Sequence, residues 1–420
     1  MRRLTILTLA AIAAVLVAAP VSGKILIPMD LSQTNHLKAY GVAYHALQRG
    51  ESVEWLLNYR GGSFLMEEDP ATVRDCALGG VLQETADGSG LAAIFDEIER
   101  NNMEDVLLEK APTVAVYIPP TNDPWDDAVV LALDYAGIPF DKIWDEEVLA
   151  GELPKYDWLH LHHEDFTGQY GKFYASYHTA PWYIEQVRVF EERAHAAGFQ
   201  KVWQHKQAVV QRIKEYVAQG GFMFSMCSAT DTFDIALAAQ GVDIVDTIYD
   251  HDPPEPGCEQ KLDFSRTLAF TDFKLEMNPL VYEYSDIDMT REASLRGQEN
   301  DYFQLFDFSA KEDPVPTMLT QSHLNVVRGF MGQTTSFRKS LLKKSVTILA
   351  EVPGADEVKY IHGNYGKGTF TYYAGHDPED YQHQVGDPPT QLELHPTSAG
   401  YRLILDNVLF PAAKKQERKT

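Results

Sequence analysis

Cys227 stands where a short apolar run opened by two glycines, Gly220-Gly221-Phe222-Met223-Phe224-Ser225-Met226, gives way to the polar cluster Ser228-Ala229-Thr230-Asp231. A thiol at such a corner acts as a nucleophile when a base takes its proton and a third group orients that base. The segment Gly375-His376-Asp377-Pro378-Glu379 follows another apolar run and offers both. His376 is the candidate base, with Glu379 or Asp377 as its orienting carboxylate. Backbone N–H groups near Ser228 would hold the oxyanion, and Ser228, Thr230 and Asp231 are candidates for binding substrate. The competing reading of Cys227 is a small buried hydrophobe, packed and inert.

A second cluster, His160-Leu161-His162-His163-Glu164-Asp165, invites a metal reading. Alternation along a strand puts His160 and His162 on one face, and imidazole with carboxylate suits zinc or another divalent ion. A complete site would need further ligands from afar, with His376, Asp377, His383 and His395 as candidates. Otherwise His162, His163 and Glu164 line the same crevice as Cys227 and bind substrate by hydrogen bonds. No organic cofactor is expected.

These residues need strands and helices to position them. The run before Cys227 reads as a buried strand, and Ile235, Leu237 and Ala238 continue as a helix closed by Gly241. Upstream, Lys24 to Asp30, a helix from about Gln33 to Leu47 and Val53 to Leu57 read as a βαβ unit, with Leu37, Tyr40, Tyr44 and Leu47 on one apolar face. A second series starts at Thr113. Asp123 before Pro124 caps a helix that Gly137 closes, and strands follow near 140–144 and 156–161. Two helices occupy 182–219, and strands are expected at 266–276, 280–284, 346–352, 358–362 and 369–374. A last helix runs through Tyr401, Leu403, Ile404 and Val408. The order predicts an α/β fold with a doubly wound, mostly parallel sheet.

The boundaries are a signal segment over 1–23, a βαβ region over 24–110, an α/β domain over 111–413 and a tail over 414–420. The irregular stretch 246–344 is a β-rich elaboration or lid. Arg2 and Arg3, the uncharged run Leu4 to Ala19 and Pro20-Val21-Ser22-Gly23 have the order of a secretory signal peptide, so export to the periplasm or beyond is expected. No later stretch is long and apolar enough to span a bilayer. A net charge of −25 excludes nucleic acid and anionic membrane surfaces as partners. Three cysteines are too few for a disulfide scaffold, and pairing Cys76 with Cys258 would leave Cys227 free.

With Cys227 at a strand-to-helix elbow and His376-Asp377-Pro378-Glu379 near the end of the domain, the region from Thr113 to Phe410 resembles the class I glutamine amidotransferase-like superfamily. The resemblance implies a flavodoxin-like sheet and a cysteine, histidine and carboxylate acting together. It departs from the family in two places. Ser225 and Ala229 replace the glycines that flank the elbow cysteine of the glutaminases, and Asp377 is inserted into the His-Pro-Glu element. A closer resemblance is to exported bacterial proteins that share the Ile27-Pro28-Met29-Asp30 opening and the Met226 to Asp231 elbow and are often labelled asparagine synthetase B. The residues do not support ATP-dependent asparagine synthesis, because neither an N-terminal cysteine nucleophile nor a pyrophosphate loop of that type is present. The resemblance implies a thiol-dependent hydrolase or amidase acting on a small-molecule or carbohydrate-linked substrate. The alternatives are a non-catalytic binding protein on the same fold and a metal-dependent hydrolase built on His160 and His162.

Overall fold

The structure, a computed structural model, describes residues 23–121, 127–161, 163–313 and 315–413. It begins with β1 (Lys24–Ile27), α1 (His36–Gln48), β2 (Val53–Leu57), β3 (Ser63–Glu67), α2 (Pro70–Gly79), β4 (Glu84–Ala86), α3 (Gly88–Arg100) and β5 (Glu104–Leu108). These strands form a separate five-stranded sheet in the order β4-β1-β3-β2-β5, antiparallel throughout. The expected βαβ unit is therefore split. β3 lies between β1 and β2, because the tight connection over residues 58–62 returns the chain as a hairpin before the next helix.

Helix α1 starts where the Asn35 side chain accepts the Lys38 N–H at 3.0 Å. Leu37, Tyr40, Tyr44 and Leu47 are buried as their spacing predicts, and so are Ala39, Val42, Ala43 and Ala46 on the other side. The helix is covered all round because it lies between the first sheet and two helices of the second layer system. One of these is α4 (Ala128–Ala136), which approaches so closely that a Cβ on Gly41 would fall 2.0 Å from the Ala136 carbonyl oxygen. The other is α12 (Ala399–Leu409).

The second sheet has ten strands. Its parallel part is built from β6 (Val114–Tyr117), β7 (Asp141–Ile143), β8 (Trp158–Leu161), β9 (Phe222–Met226) and β15 (Gly368–Tyr373), in the order β7-β6-β8-β9-β15. Short continuous apolar runs suit strands covered on both faces. Val114, Val116, Phe222 and Phe224 share a core with α1, α4 and α12. Ala115, Tyr117, Leu159 and Met223 face the other way. There they meet α8 (Val202–Gln219) and α9 (Asp231–Ala238), with α5 (Asp145–Leu149) and α7 (Pro181–Ala196) on the same side and the short α6 (Tyr174–Tyr177) and α10 (Thr247–Asp250) in the connections. Beyond β15 the sheet continues antiparallel through β14 (Glu357–Tyr365), β13 (Thr347–Glu351), β10 (Tyr302–Leu305) and β11 (Val326–Arg328), and β12 (Phe337–Arg338) pairs with β14.

The protein is thus mixed α/β, with mostly antiparallel strands and some parallel ones, which corrects the mostly parallel sheet expected from sequence. The strands expected at 266–276 and 280–284 are irregular segments joined by single bridges such as Leu275 to Ser285. Their backbone groups go instead to buried side chains: the Asp234 carboxylate accepts the N–H groups of Leu268, Ala269 and Phe270 at 2.7–2.9 Å. The stretch 246–344 does contribute β10 to β12, together with α11 (Thr290–Arg296). The expected cap at Asp123 lies outside the described residues, and α4 is capped by Asp127, whose carboxylate accepts the Val130 N–H at 2.8 Å. Cys76 and Cys258 are buried, free thiols rather than a disulfide. Among the described residues no helix is long and apolar enough to cross a membrane.

Arg402 on α12 fastens the two sheets together. It is fully buried, donating to the Tyr40 hydroxyl at 2.9 Å, to the Met29 carbonyl at 3.1 Å and to the Gly61 carbonyl. Tyr40 in turn donates to Asp406. Truncating one partner of such a buried charged network costs about 3–5 kcal/mol, whereas an exposed ion pair contributes about 0–1 kcal/mol. Urea denaturation should therefore find Arg402→Leu about 3 kcal/mol or more less stable than the parent, and Arg100→Ala, at a 70% exposed side chain paired with Asp96, within about 0.5 kcal/mol of it.

Candidate active site

The carboxyl ends of β9 and β15 lie side by side, with Met226 opposite Tyr373. Cys227 follows directly on β9 and His376 comes three residues after the end of β15, so the two are brought to one edge of the sheet. The Cys227 N–H donates to the Gly375 carbonyl at 3.2 Å. Cys227 itself has φ +54°, in the left-handed region that costs a side-chain-bearing residue about 1–3 kcal/mol. That conformation is held by a dense set of bonds. The Cys227 carbonyl accepts the Thr230 N–H at 3.1 Å and the Thr230 hydroxyl at 2.6 Å. Ser228 donates to the His163 carbonyl at 3.2 Å, and Thr232 donates to the carbonyls of Ser228 at 2.5 Å and Glu164 at 3.1 Å. One 3-10 turn, Cys227–Ala229, then leads into α9.

Cys227, Ser228, His163 and His376 line a common cleft of about 400 Å³. The His376 ring lies 5.0 Å from that of His163 and 4.7 Å from that of His383, centroid to centroid, so three imidazoles run in a row. His383 meets the Asp380 carboxylate at 3.0 Å. The two carboxylates expected to orient His376 have other commitments. Glu379 pairs with His395 at 3.0 Å, and Asp377 closes its own turn, accepting the N–H groups of Glu379 at 2.9 Å and Asp380 at 3.3 Å. A carboxylate that does join the histidine row is Asp380, through His383.

Residues 329–336, within the stretch expected as a β-rich elaboration or lid, supply a feature that the sequence does not announce. This loop crosses the elbow so that the Gln333 N–H points at the Cys227 sulfur, 3.4 Å away. The Gln333 side chain donates to the carbonyls of Gly171 at 2.8 Å and Tyr282 at 3.0 Å, and the Thr334 carbonyl accepts the Gly375 N–H at 2.7 Å. Beneath the loop, the buried Lys359 ammonium donates to the carbonyls of Phe330 and Thr335. Burial pushes the Lys359 pKa down to about 7, against the opposing pull of Asp301 and Glu357. Gly332 is a sequence signal of this arrangement: a Cβ there would fall 2.7 Å from the His376 backbone nitrogen.

Other candidates are placed elsewhere. Thr230 and Asp231 are fully buried behind the elbow and serve to hold it, rather than to touch substrate. Asp231 accepts the Thr334 hydroxyl at 3.0 Å, and burial raises its pKa to about 7. Glu164 is buried with its carboxyl 3.5 Å from Lys206, and burial raises its pKa to about 7. Neither lines the cleft. His160 is a core histidine: one ring nitrogen is 2.9 Å from Asp127, the other 3.2 Å from the Phe224 carbonyl, and its ring stacks on Trp158. With both nitrogens engaged by the protein it is not a metal ligand, which corrects the His160 and His162 reading; His162 lies outside the described residues. Among the described residues, Asp380, His383 and Asp387 bring ligand atoms within 4.8 Å of one another and are the group with metal-ligand spacing.

The raised pKa of Asp231 gives a pH signature. Its folded state holds the proton more tightly than the unfolded chain, so its contribution to stability is fully present below about pH 4 and is lost as pH rises through about 7. Unfolding free energies measured from pH 4 to 8 should show the parent losing ground steadily to Asp231→Asn over that window. A constant difference between the two would contradict the assignment.

No family model matches the chain, and no curated protein matches it. Among solved structures it is similar to a cytoplasmic protein of Salmonella typhimurium LT2, at 12% identity and a TM-score of 0.37, covering 72% of this chain and 99% of that one. It is similar to a second cytoplasmic protein of Salmonella typhimurium at 11% identity and a TM-score of 0.35, covering 72% and 100%. A GH42 β-galactosidase, Gan42B, is matched at 12% identity and a TM-score of 0.28, over 64% of this chain and 28% of that one. TM-scores of this size carry nothing about the reaction. Both Salmonella proteins are described as cytoplasmic, against the periplasmic or extracellular location expected from residues 1–23, and that expectation is withdrawn.

Proposed function

We propose that the protein is a thiol-dependent hydrolase or amidase of the class I glutamine amidotransferase-like type, on a doubly wound, flavodoxin-like core. The strand order β7-β6-β8-β9-β15, second-first-third-fourth-fifth in chain order, supports that core, as do helices on both faces. The observation that carries the reaction is Cys227 itself. It is a nucleophilic side chain in left-handed conformation at a strand-to-helix turn, with an N–H aimed at its sulfur and His376 in the same cleft.

In the proposed reaction His376 takes the Cys227 proton as the sulfur attacks the substrate carbonyl carbon. The C–N or C–O bond breaks, and the leaving amine or alcohol departs with the proton from His376, leaving a thioester on Cys227. A water, deprotonated by His376, then attacks the thioester. The acid is released and the proton returns to sulfur. The backbone N–H groups of the elbow and of Gln333 are the donors available to the developing oxyanion. Asp380, through His383, is the carboxylate that steadies the histidine row.

Removing a nucleophile of this kind lowers turnover by about a thousandfold or more. On a panel of amide and ester substrates, Cys227→Ala and His376→Ala should each lose at least that much, while Glu379→Gln, whose partner is His395, should lose less than about tenfold. Equal turnover by the parent and Cys227→Ala would overturn the proposal. Alkylation by iodoacetamide followed against pH separates a catalytic thiol from a merely packed one, since the packed thiol titrates at or above the ordinary cysteine value.

A further inference from the structure

The lining of the Cys227 cleft is built without carboxylate, ammonium or guanidinium side chains among the described residues. In a chain where 23% of residues are charged, none of the seventeen described residues around the cleft is Asp, Glu, Lys or Arg. An ionised ligand group entering such a space gives up its hydration and meets no carboxylate, ammonium or guanidinium of the lining in return. A free amino acid amide such as glutamine brings an ammonium and a carboxylate, and needs a partner of each sign. A phosphorylated substrate also meets the field of a chain whose net charge is −25.

What the lining does offer is ring surface next to neutral hydrogen-bonding groups. Phe173, Tyr177 and Tyr282 form a connected aromatic wall, with Phe173 6.0 Å from Tyr177 and 5.7 Å from Tyr282 between centroids. Trp182 buttresses it at 5.6 Å from Phe173 and 5.2 Å from Tyr177. Ser294, Gln382 and Gln384 add hydroxyl and amide groups that both donate and accept. A wholly apolar ligand would bury those groups unpaired. A sugar ring matches both halves of the lining, since it has an apolar C–H face and an uncharged rim of hydroxyls. The volume of about 400 Å³ suits one such ring with its linked acyl group.

We propose that the cleft takes an uncharged sugar joined to the scissile carbonyl through an amide, as in an N-acyl amino sugar, and not a free amino acid amide. The bond cleaved rests on the thiol-hydrolase reading above, and water converts the amide to the free acid and the amino sugar. Recognition of the sugar rests on the lining alone.

The test uses the full chain carrying Cys227→Ala and measures binding by calorimetry at pH 7.5 with four probes: N-acetylglucosamine, its 6-phosphate, glutamine and acetanilide. The uncharged sugar should bind at least about tenfold tighter than each of the others, and adding Tyr177→Ala should weaken it by about tenfold. Tyr177 is only partly buried, and an unchanged urea midpoint confirms that the fold is intact. Equal or tighter binding of glutamine or the phosphate, preference for acetanilide, binding indifferent to Tyr177→Ala, or no binding of any probe overturns the inference. Turnover by the unsubstituted chain is read separately. Amide hydrolysis without sugar binding overturns the sugar and leaves the thiol mechanism standing; sugar binding without Cys227-dependent turnover does the reverse.

Discussion

The amide of Cys227 and the carbonyl of Gly375 share a hydrogen bond of 3.2 Å, and most of the site depends on that link between two strand ends. Parallel neighbours finish at the same sheet edge, so two residues far apart in sequence emerge together. The bond also fixes the peptide that leads into the left-handed Cys227, a conformation that survives only when its surroundings over-determine it. Here those surroundings come from four directions: β15, the segment after β8, the first turn of α9 and the crossing loop 329–336.

That loop shows how an irregular region can satisfy its backbone groups. It has little regular secondary structure, yet its peptide groups are satisfied by Gly375, His376, Lys359 and neighbouring hydroxyls. A buried ammonium gripping the carbonyls of Phe330 and Thr335 does for this loop what a ladder of strand hydrogen bonds does elsewhere. The same loop contributes Met331, Gly332 and Gln333 to the lining of the cleft, so the Lys359 ammonium supports a wall that itself holds no carboxylate, ammonium or guanidinium.

The sequence made some of this legible. The short apolar runs ending at Tyr117, Leu161, Met226 and Tyr373 announce buried strands because both faces of a parallel strand are covered. The corner at Cys227 was visible because polar residues that favour helix starts follow directly. The split of the first βαβ unit was not, since nothing in Val53 to Glu67 states which edge a strand will pair with. Nor was the role of Gln333, whose contribution is a backbone N–H that every residue but proline possesses. Glu379 and Asp377 looked like partners of His376 by spacing alone. In a turn, however, side chains two or three residues apart diverge, and each found a nearer use. Alternation along β8 makes His160 a possible ligand, but alternation assigns a face and does not tell a cleft from a core.

Arg402 bears on how the chain holds together as a unit. Its guanidinium is the point at which α12, the Met29 carbonyl and the Gly61 carbonyl meet, and α1 beside it is covered by the first sheet on one side and by α4 and α12 on the other. A fragment starting at Thr113 would expose the faces of α4 and α12 that α1 now occupies, and would strand a buried cation without its acceptors. The boundary near residue 110 is consequently a boundary of topology and not of burial: α1 on one side and α4 and α12 on the other share a single core, and neither half has a surface fit to meet water alone.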